Sequence, residues 1–194
     1  HELRTPITVM RGYSESLVDD MVSGEEKKRQ YYERMLLECK SMERLVQDLL
    51  LLSKMQNPHF RVEKEPVNLV QIFEDIYRSA REIAKEKKIR LHLNCDDECV
   101  MMMGDYDRLR QMFLVIIDNA IKFSALEGNV YINILSKEKL EVEIKDEGVG
   151  ILSEEMPYIF EKFYKSKLRQ NAKGSGLGLM IARYIAEKHD GKIQ

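Results

Sequence analysis

Tryptophan is absent from this chain, proline occurs only four times and cysteine only three. No apolar run approaches the roughly twenty residues that a membrane-crossing helix needs, and no signal-peptide pattern opens the sequence. The expectation is a cytoplasmic segment that does not itself span a membrane, although a longer parent could be anchored in one. An excess of one charge is lacking as well, because 31 Lys and Arg stand against 33 Asp and Glu. That near-cancellation removes the electrostatic case for nucleic acid or an anionic membrane surface as a partner. Cys39, Cys95 and Cys99 are odd in number and form no CxxC pair, which suits a reducing compartment and buried or half-buried thiols better than a disulfide framework. Internal repeats and low-complexity tracts are missing too.

The 194 residues are 44% hydrophobic, enough to bury the core of one large domain or of a small module plus a larger one. From His1 to Met21, apolar residues fall at Leu3, Ile7, Met10, Leu17 and Met21, with Ser14 completing the three-four alternation of an amphipathic helix. Val22-Ser23-Gly24-Glu25 interrupts it. A second long helix then carries Met35, Cys39, Met42, Val46, Leu49 and Leu52 on its stripe. Two such helices make an antiparallel hairpin, and one hairpin cannot hide both seams from water, so the reading is a homodimer built as a four-helix bundle. Asn57-Pro58 ends the second helix, because proline disfavours helical backbone at the residue before it. The expected organisation is a hairpin over residues 1–57, a linker over 58–66 and a second domain over 67–194.

Past the linker the pattern mixes periods. It predicts a helix from Leu69 to Glu86, strands at Ile89–Asn94 and around Val100–Met103, and a helix from Asp105 to Phe123. Alternating strands at Val130–Leu135 and Leu140–Lys145 follow, and a last helix from Gly176 to Lys188. This is an α+β sandwich with helices on one face of a mixed sheet. The chain starts on His1 rather than Met and stops on Gly191-Lys192-Ile193-Gln194, which reads as the start of a strand. Both ends are therefore expected to be cut from a longer protein, with the closing strands beyond Ile193.

Five segments carry chemistry. At 100° per residue Thr5 lies about 40° from His1, away from the apolar stripe, so the two share an exposed face. The Glu2 carboxylate could hydrogen-bond one ring nitrogen of His1, fix its tautomer and raise the nucleophilicity of the other. A solvated helix face would also carry such residues, and Pro6 fits an ordinary helix start. Asp118-Asn119-Ala120-Ile121-Lys122-Phe123-Ser124 closes a helix whose apolar residues include Leu109, Met112, Phe113, Ile116 and Ala120. Asn119 could offer Mg²⁺ a neutral oxygen with Lys122 in reach of the same phosphates, or the two are a helix-end amide and a solvated lysine. Asp146-Glu147-Gly148-Val149-Gly150-Ile151 follows an alternating strand. A carboxylate there can accept the exocyclic amine of adenine while glycines let the backbone approach the base, although a plain D-x-G turn looks the same. Gly174-Ser175-Gly176-Leu177-Gly178-Leu179 opens a helix, where free N–H groups and the dipole suit phosphates. No Gly-Lys-Ser/Thr follows, so it is not a Walker loop. Between the glycine segments lies Phe160-Glu161-Lys162-Phe163-Tyr164-Lys165, then a basic run from Ser166 to Lys173. Phe160 and Phe163 either fill core or also anchor a cationic lid over a triphosphate. His59, His92 and His189 have no ligand pattern near them and read as surface or packing residues.

In order and approximate spacing these segments resemble the boxes of the sensor histidine kinases of two-component systems, and the likeness covers nearly the whole chain. His1-Glu2-Leu3-Arg4-Thr5-Pro6-Ile7 is similar to the H box of their HisKA hairpin. The resemblance implies that His1 is phosphorylated, that Glu2 is the base and that Thr5 helps a water hydrolyse phospho-aspartate on the partner. By likeness to the N box, Asn119 binds Mg²⁺, Lys122 contacts phosphate and Phe123 lines the base pocket, while Val115 stands where many members carry a further Asn. The first glycine box implies adenine recognition by Asp146, with Gly148 and Gly150. The second implies phosphate binding by Gly174, Gly176, Leu177 and Gly178. The F box implies a phosphate contact for Lys165, at a position that is frequently Arg.

The resemblance implies a helical hairpin followed by an α/β sandwich of the GHKL (Bergerat) ATPase type, which binds ATP and Mg²⁺. It implies an ATP:protein-histidine phosphotransferase in which the ATP domain swings on the linker toward His1. An aspartate of a response regulator receiver domain then takes the phosphoryl group. Two other readings stand beside it. A clamp ATPase of the gyrase, chaperone and mismatch-repair type shares such a pocket, but the H box and hairpin argue against it. A nucleotide-binding dimeric scaffold or phosphatase-biased homologue with little kinase activity draws on Val115, Lys165 and Thr5.

Overall fold

The computed structural model describes residues 2–55, 57, 60–136, 138–166 and 174–194. Contacts divide the chain into two compact units, His1–Pro58 with Ala172–Ser175, and His59–Asn171 with Gly176–Gln194.

In the first unit, α1 (Arg4–Val18) and α2 (Glu25–Met55) form the hairpin. Its seam follows the heptad: Cys39 Sγ lies 3.2 Å from Met10 Sδ, Ser14 Oγ lies 3.9 Å from Met35 Sδ, and the Tyr13 and Tyr31 rings meet edge-on at 4.9 Å. The first helix is shorter than the pattern from His1 to Met21. It ends because Asp20 adopts φ +53°, which lets the Met21 N–H reach back to the Ser16 carbonyl at 3.1 Å and closes a Schellman turn. Large apolar side chains remain uncovered within this unit, including Ile7 (49% exposed), Leu36 (55%) and Leu50 (60%).

The second unit runs β1 (Glu65–Asn68), α3 (Leu69–Glu86), β2 (Arg90–Cys95), β3 (Met101–Gly104), α4 (Tyr106–Phe123), β4 (Asn129–Ser136), β5 (Leu140–Asp146), a 3₁₀ turn at Met156–Tyr158 and α5 (Gly178–Lys188). β4 lies central in a mixed sheet, parallel to β2 and antiparallel to β5, while β1 and β3 make a separate antiparallel ribbon. The alternation in β4 sends Val130, Ile132 and Ile134 inward, each no more than 2% exposed. They join Leu69, Ile72, Phe73 and Ile76 of α3, Leu109, Ile117 and Ile121 of α4, and Ile181 and Ile185 of α5, all similarly buried. Each such side chain contributes about 1.5–3 kcal/mol of burial. α4 packs against both α3 and α5, with the Phe73 and Phe113 rings 4.6 Å apart.

Several readings are corrected here. Glu65 and Pro66, assigned to the linker, belong to β1, where Pro66 sits on a two-stranded ribbon that tolerates its missing N–H. The last helix starts at Gly178, because Gly176 at φ +70° cannot be helical. Cys39 and Cys99 are exposed thiols and only Cys95 is half-buried. His189 is more than packing: its Nε2 accepts the Asp105 N–H at 3.0 Å while Nδ1 lies 2.8 Å from the Ile185 carbonyl. The ring is thus the neutral Nδ1–H tautomer, joining the end of α5 to the start of α4. Among the described residues no helix is long and apolar enough to cross a membrane.

Candidate nucleotide site

The site grows from the end of α4. Three-four spacing puts Asn119, Lys122 and Phe123 on one helical face, and all three are half-buried. The Asn119 amide makes no hydrogen bond to the described residues, and the Lys122 ammonium lies 5.1 Å from the Phe123 ring centroid. Lys87 binds the last carbonyls of the helix, Ile121 O at 3.3 Å and Lys122 O, and so offsets the negative end of its dipole. The helix is closed by Ser124, whose Oγ returns to Ala120 O at 2.8 Å and whose backbone bridges to Gly148.

That bridge brings the first glycine segment against α4. A Cβ on Gly148 would overlap the Phe123 carbonyl oxygen, so only glycine allows this approach. Asp146, the last residue of β5, accepts the Gly148 N–H on Oδ1 at 2.9 Å, and its other oxygen has no hydrogen bond among the described residues. Glu147 leans the opposite way and accepts both the backbone N–H (3.1 Å) and the side-chain amide (2.8 Å) of Asn129. Asn129 Oδ1 in turn lies 3.1 Å from His92 Nε2. His92, Asn129 and Glu147 therefore pin the loop that carries Asp146 to the start of β4.

The Asn129 side-chain bond holds the Glu147 carboxyl below the ordinary glutamate range. Because the folded value is the depressed one, the contact is intact above the unfolded value near 4.3 and is lost as pH falls through the folded one. Asn129→Ala is expected to move the NMR titration midpoint of Glu147 up toward that of a free glutamate. An unmoved midpoint would assign the depression to the backbone N–H of residue 129, which the variant keeps, together with Arg90 and Lys145.

The second glycine segment meets the aromatic segment main chain to main chain. Phe163 N–H donates to Gly176 O at 3.0 Å, and a Cβ on Gly176 would lie 2.7 Å from Phe163 C and 2.9 Å from Tyr164 O. Gly178 abuts α4, where an added Cβ would meet Val115 Cγ1 at 2.9 Å. Leu177 is fully buried. A Cβ on Gly150, at φ +71°, would meet nothing within 4 Å, and Gly174 and Lys165 are exposed. Phe160 is half-buried with Arg183 5.5 Å from its ring centroid. Phe163 is 41% exposed and held by its backbone, which corrects the reading of it as an aromatic anchor. In the first unit Thr5 is exposed and Glu2 half-buried, while His1 and most of the basic run lie outside the described residues.

Comparison with known proteins bears on both units. Residues 1–58 match the His Kinase A (phospho-acceptor) domain and residues 104–194 match the histidine kinase-, DNA gyrase B- and HSP90-like ATPase family. The sensor histidine kinase WalK of Bacillus subtilis (strain 168) is 33% identical over 198 residues, covering 100% of this chain and 32% of WalK. The chain belongs to the sensor histidine kinases. It spans about a third to a half of the length of the curated histidine kinases and sensor proteins it matches. Among solved histidine kinases, Acinetobacter baumannii AdeS superposes with a TM-score of 0.81 at 27% identity, covering 100% of this chain and 89% of that one. A second, ThkA in complex with the response regulator protein TrrA, shares the fold with a TM-score of 0.80 at 24% identity over 100% of this chain and 54% of that one. The α+β architecture, a hairpin followed by an ATPase-type sandwich, is thus the histidine kinase fold.

Two residues that position the site, Asn129 and Glu147, were not singled out from the sequence, and a third, His92, read there as surface or packing, holds Asn129 instead. Glu147 sat inside a recognised motif, but its partners lie on other strands and no local spacing points to them.

Proposed function

We propose that this histidine kinase chain binds ATP in its second unit and transfers the γ-phosphoryl group to His1, for onward transfer to an aspartate of a response regulator receiver domain. The approach of Gly148 to Phe123 supports this reading best: it sets a carboxylate with an uncommitted oxygen, Asp146, beside the face carrying Asn119 and Lys122.

In this reading Asp146 accepts the exocyclic amine of adenine, and Phe123 lines the base pocket beside Gly148 and Gly150. The backbone N–H groups of Gly174 to Gly178 receive phosphate oxygens at the positive end of α5. Lys122 and Lys165 neutralise the triphosphate. Asn119 fits a role as the protein ligand of Mg²⁺, because its amide is half-buried and without a hydrogen bond among the described residues, while Val115 one turn earlier supplies no donor atom. When bound, the metal would offset charge on the phosphoryl oxygens. A ring nitrogen of His1 forms the N–P bond as the bond from phosphorus to the bridging oxygen of ADP breaks, and the ring N–H proton passes to Glu2. The later transfer breaks N–P and forms O–P on the regulator's aspartate, and Thr5, which is exposed, takes the role of orienting a hydrolytic water. The uncovered Ile7, Leu36 and Leu50 of the hairpin support a homodimer built as a four-helix bundle. We place this activity in the cytoplasm.

Incubation with γ-labelled ATP and Mg²⁺ tests the assignment. Label is expected to be acid-labile and to fall to background in His1→Gln, since no other group then stands in the acceptor role. Label persisting in His1→Gln would move the acceptor elsewhere. Nucleotide binding without any labelling would favour the scaffold or phosphatase-biased reading.

A further inference from the structure

Glu155 is a carboxylate that the nucleotide reading leaves unused, and it is only 3% exposed. A buried charge persists where hydrogen bonds replace the lost water. Its main chain is fixed by a turn, with its N–H on Leu152 O at 2.8 Å and its carbonyl accepting Tyr158 N–H at 2.9 Å. Ser166 Oγ donates to its Oε2 at 2.6 Å, the short distance of a hydroxyl-to-carboxylate bond. The Tyr164 phenol lines the same small cavity as Glu155, and burial together with that neighbouring charge pushes it above its ordinary range. Tyr164 and Ser166 are the two neighbours of Lys165. On the other side of this stretch, Gly176 O holds the Phe163 N–H at 3.0 Å.

We propose that Glu155 is a positioning residue: by bonding Ser166 on one side of Lys165 and sharing a cavity with the Tyr164 phenol on the other, it fixes the main chain there and so sets where the lysine ammonium meets nucleotide phosphate. This rests on the reading of Lys165 as a phosphate contact. A lysine needs such help more than an arginine does. Its charge is a point on a flexible four-carbon stem rather than a planar fork that locks bidentately, so the placement of the stem's root decides how often the charge is in range.

The test is calorimetric titration of the whole chain with ATP and, separately, with adenosine, for Glu155→Ala, Lys165→Ala and the double variant. Glu155→Ala and Lys165→Ala are each expected to weaken ATP binding about tenfold, the scale of one charge-assisted hydrogen bond. Adenosine binding should stay within twofold, and the double variant should be no weaker than Lys165→Ala. Ser166→Ala removes the hydrogen bond but leaves Tyr164 beside the carboxylate, so it should show a smaller loss of the same kind, and Glu155→Gln, which keeps shape and an acceptor oxygen, should recover most of the affinity. If Glu155→Ala does not fold, the Ser166→Ala and Lys165→Ala pair carries the same comparison. Full additivity of the two losses, or adenosine affinity falling in step with ATP, overturns the proposal. Lys165→Ala with unchanged ATP affinity overturns the Lys165 reading and the proposal with it, whereas a Lys165→Ala loss with additive Glu155→Ala sinks the Glu155 role alone.

Discussion

Gly176→Ala is expected to lower stability by about 2–5 kcal/mol and to weaken ATP binding in whatever fraction stays folded. Two costs add at this position. The backbone has φ +70°, where an L side chain costs about 1–2 kcal/mol. The new methyl group would also lie 2.7–2.9 Å from three main-chain atoms of Phe163 and Tyr164, and overpacking of this kind costs about 1–3 kcal/mol. A flexible neighbour could move aside, but main chain tied by a hydrogen bond to Gly176 O cannot do so without shifting Lys165. Gly150→Ala is the control, because the backbone has nearly the same φ (+71°) and the added Cβ would meet nothing within 4 Å. It should lose only the conformational part. Thermal unfolding of the two variants separates the effects: equal losses would show that the close approach to Phe163 and Tyr164 carries no cost.

Phe73→Ala should be as damaging to stability and nearly silent in binding. Phe73 is fully buried between α3 and α4 and its ring lies 4.6 Å from that of Phe113. Removing it costs transfer energy plus a cavity, about 3–5 kcal/mol, a large share of the roughly 5–15 kcal/mol that holds a domain together. The denaturant midpoint should fall with the slope unchanged, and ATP affinity measured well below the transition should match the parent. A loss under about 1 kcal/mol would mean that Phe113 and its neighbours collapse into the space.

These two sites differ in how far the sequence discloses them. Phe73 lies on a strongly periodic helix, and α3, α4, β4 and β5 were legible to within a residue or two because their apolar spacing reflects burial directly. β1 was missed because Glu65-Pro66-Val67-Asn68 is too short to show alternation and contains a proline. The end of α1 was harder to read, because it closes through a left-handed residue that is not glycine, Asp20, so the usual stop signal is displaced. α3 and α5 also close through such residues, Lys88 and Asp190, yet their ends at Glu86 and Lys188 fall where the apolar spacing stops. Asp190 is held there partly by Lys64, 2.6 Å away and far off in sequence. In the candidate site the glycines announced that backbone would come close to something. Only the fold shows that the something is Phe123 for Gly148, Val115 for Gly178 and the Phe163–Tyr164 backbone for Gly176. Val115 had been noted as a missing polar group, and its methyl group against Gly178 gives it a second role as the surface on which the glycine segment rests. Glu155 was silent because a buried glutamate in a polar turn looks like any surface glutamate until its partners are known.

The placement of β4 also sets an order of assembly. Ser136 and Leu140 join it to β5 across a tight connection, a hairpin of the kind that closes in about 1–10 μs. Its other neighbour, β2, pairs Arg90 with Asn129, and everything from β3 through α4 must be looped out before those two meet. Loop closure on that scale carries a larger entropic penalty and comes later. Asp146 therefore rides on a fast-forming hairpin, and the end of α4 that faces it is separated from β4 only by the segment Ser124 to Gly128, so the two can meet through the Ser124–Gly148 bridge before β2 docks. An opening that lifts α4 from β5 would disassemble the site while leaving the hairpin paired.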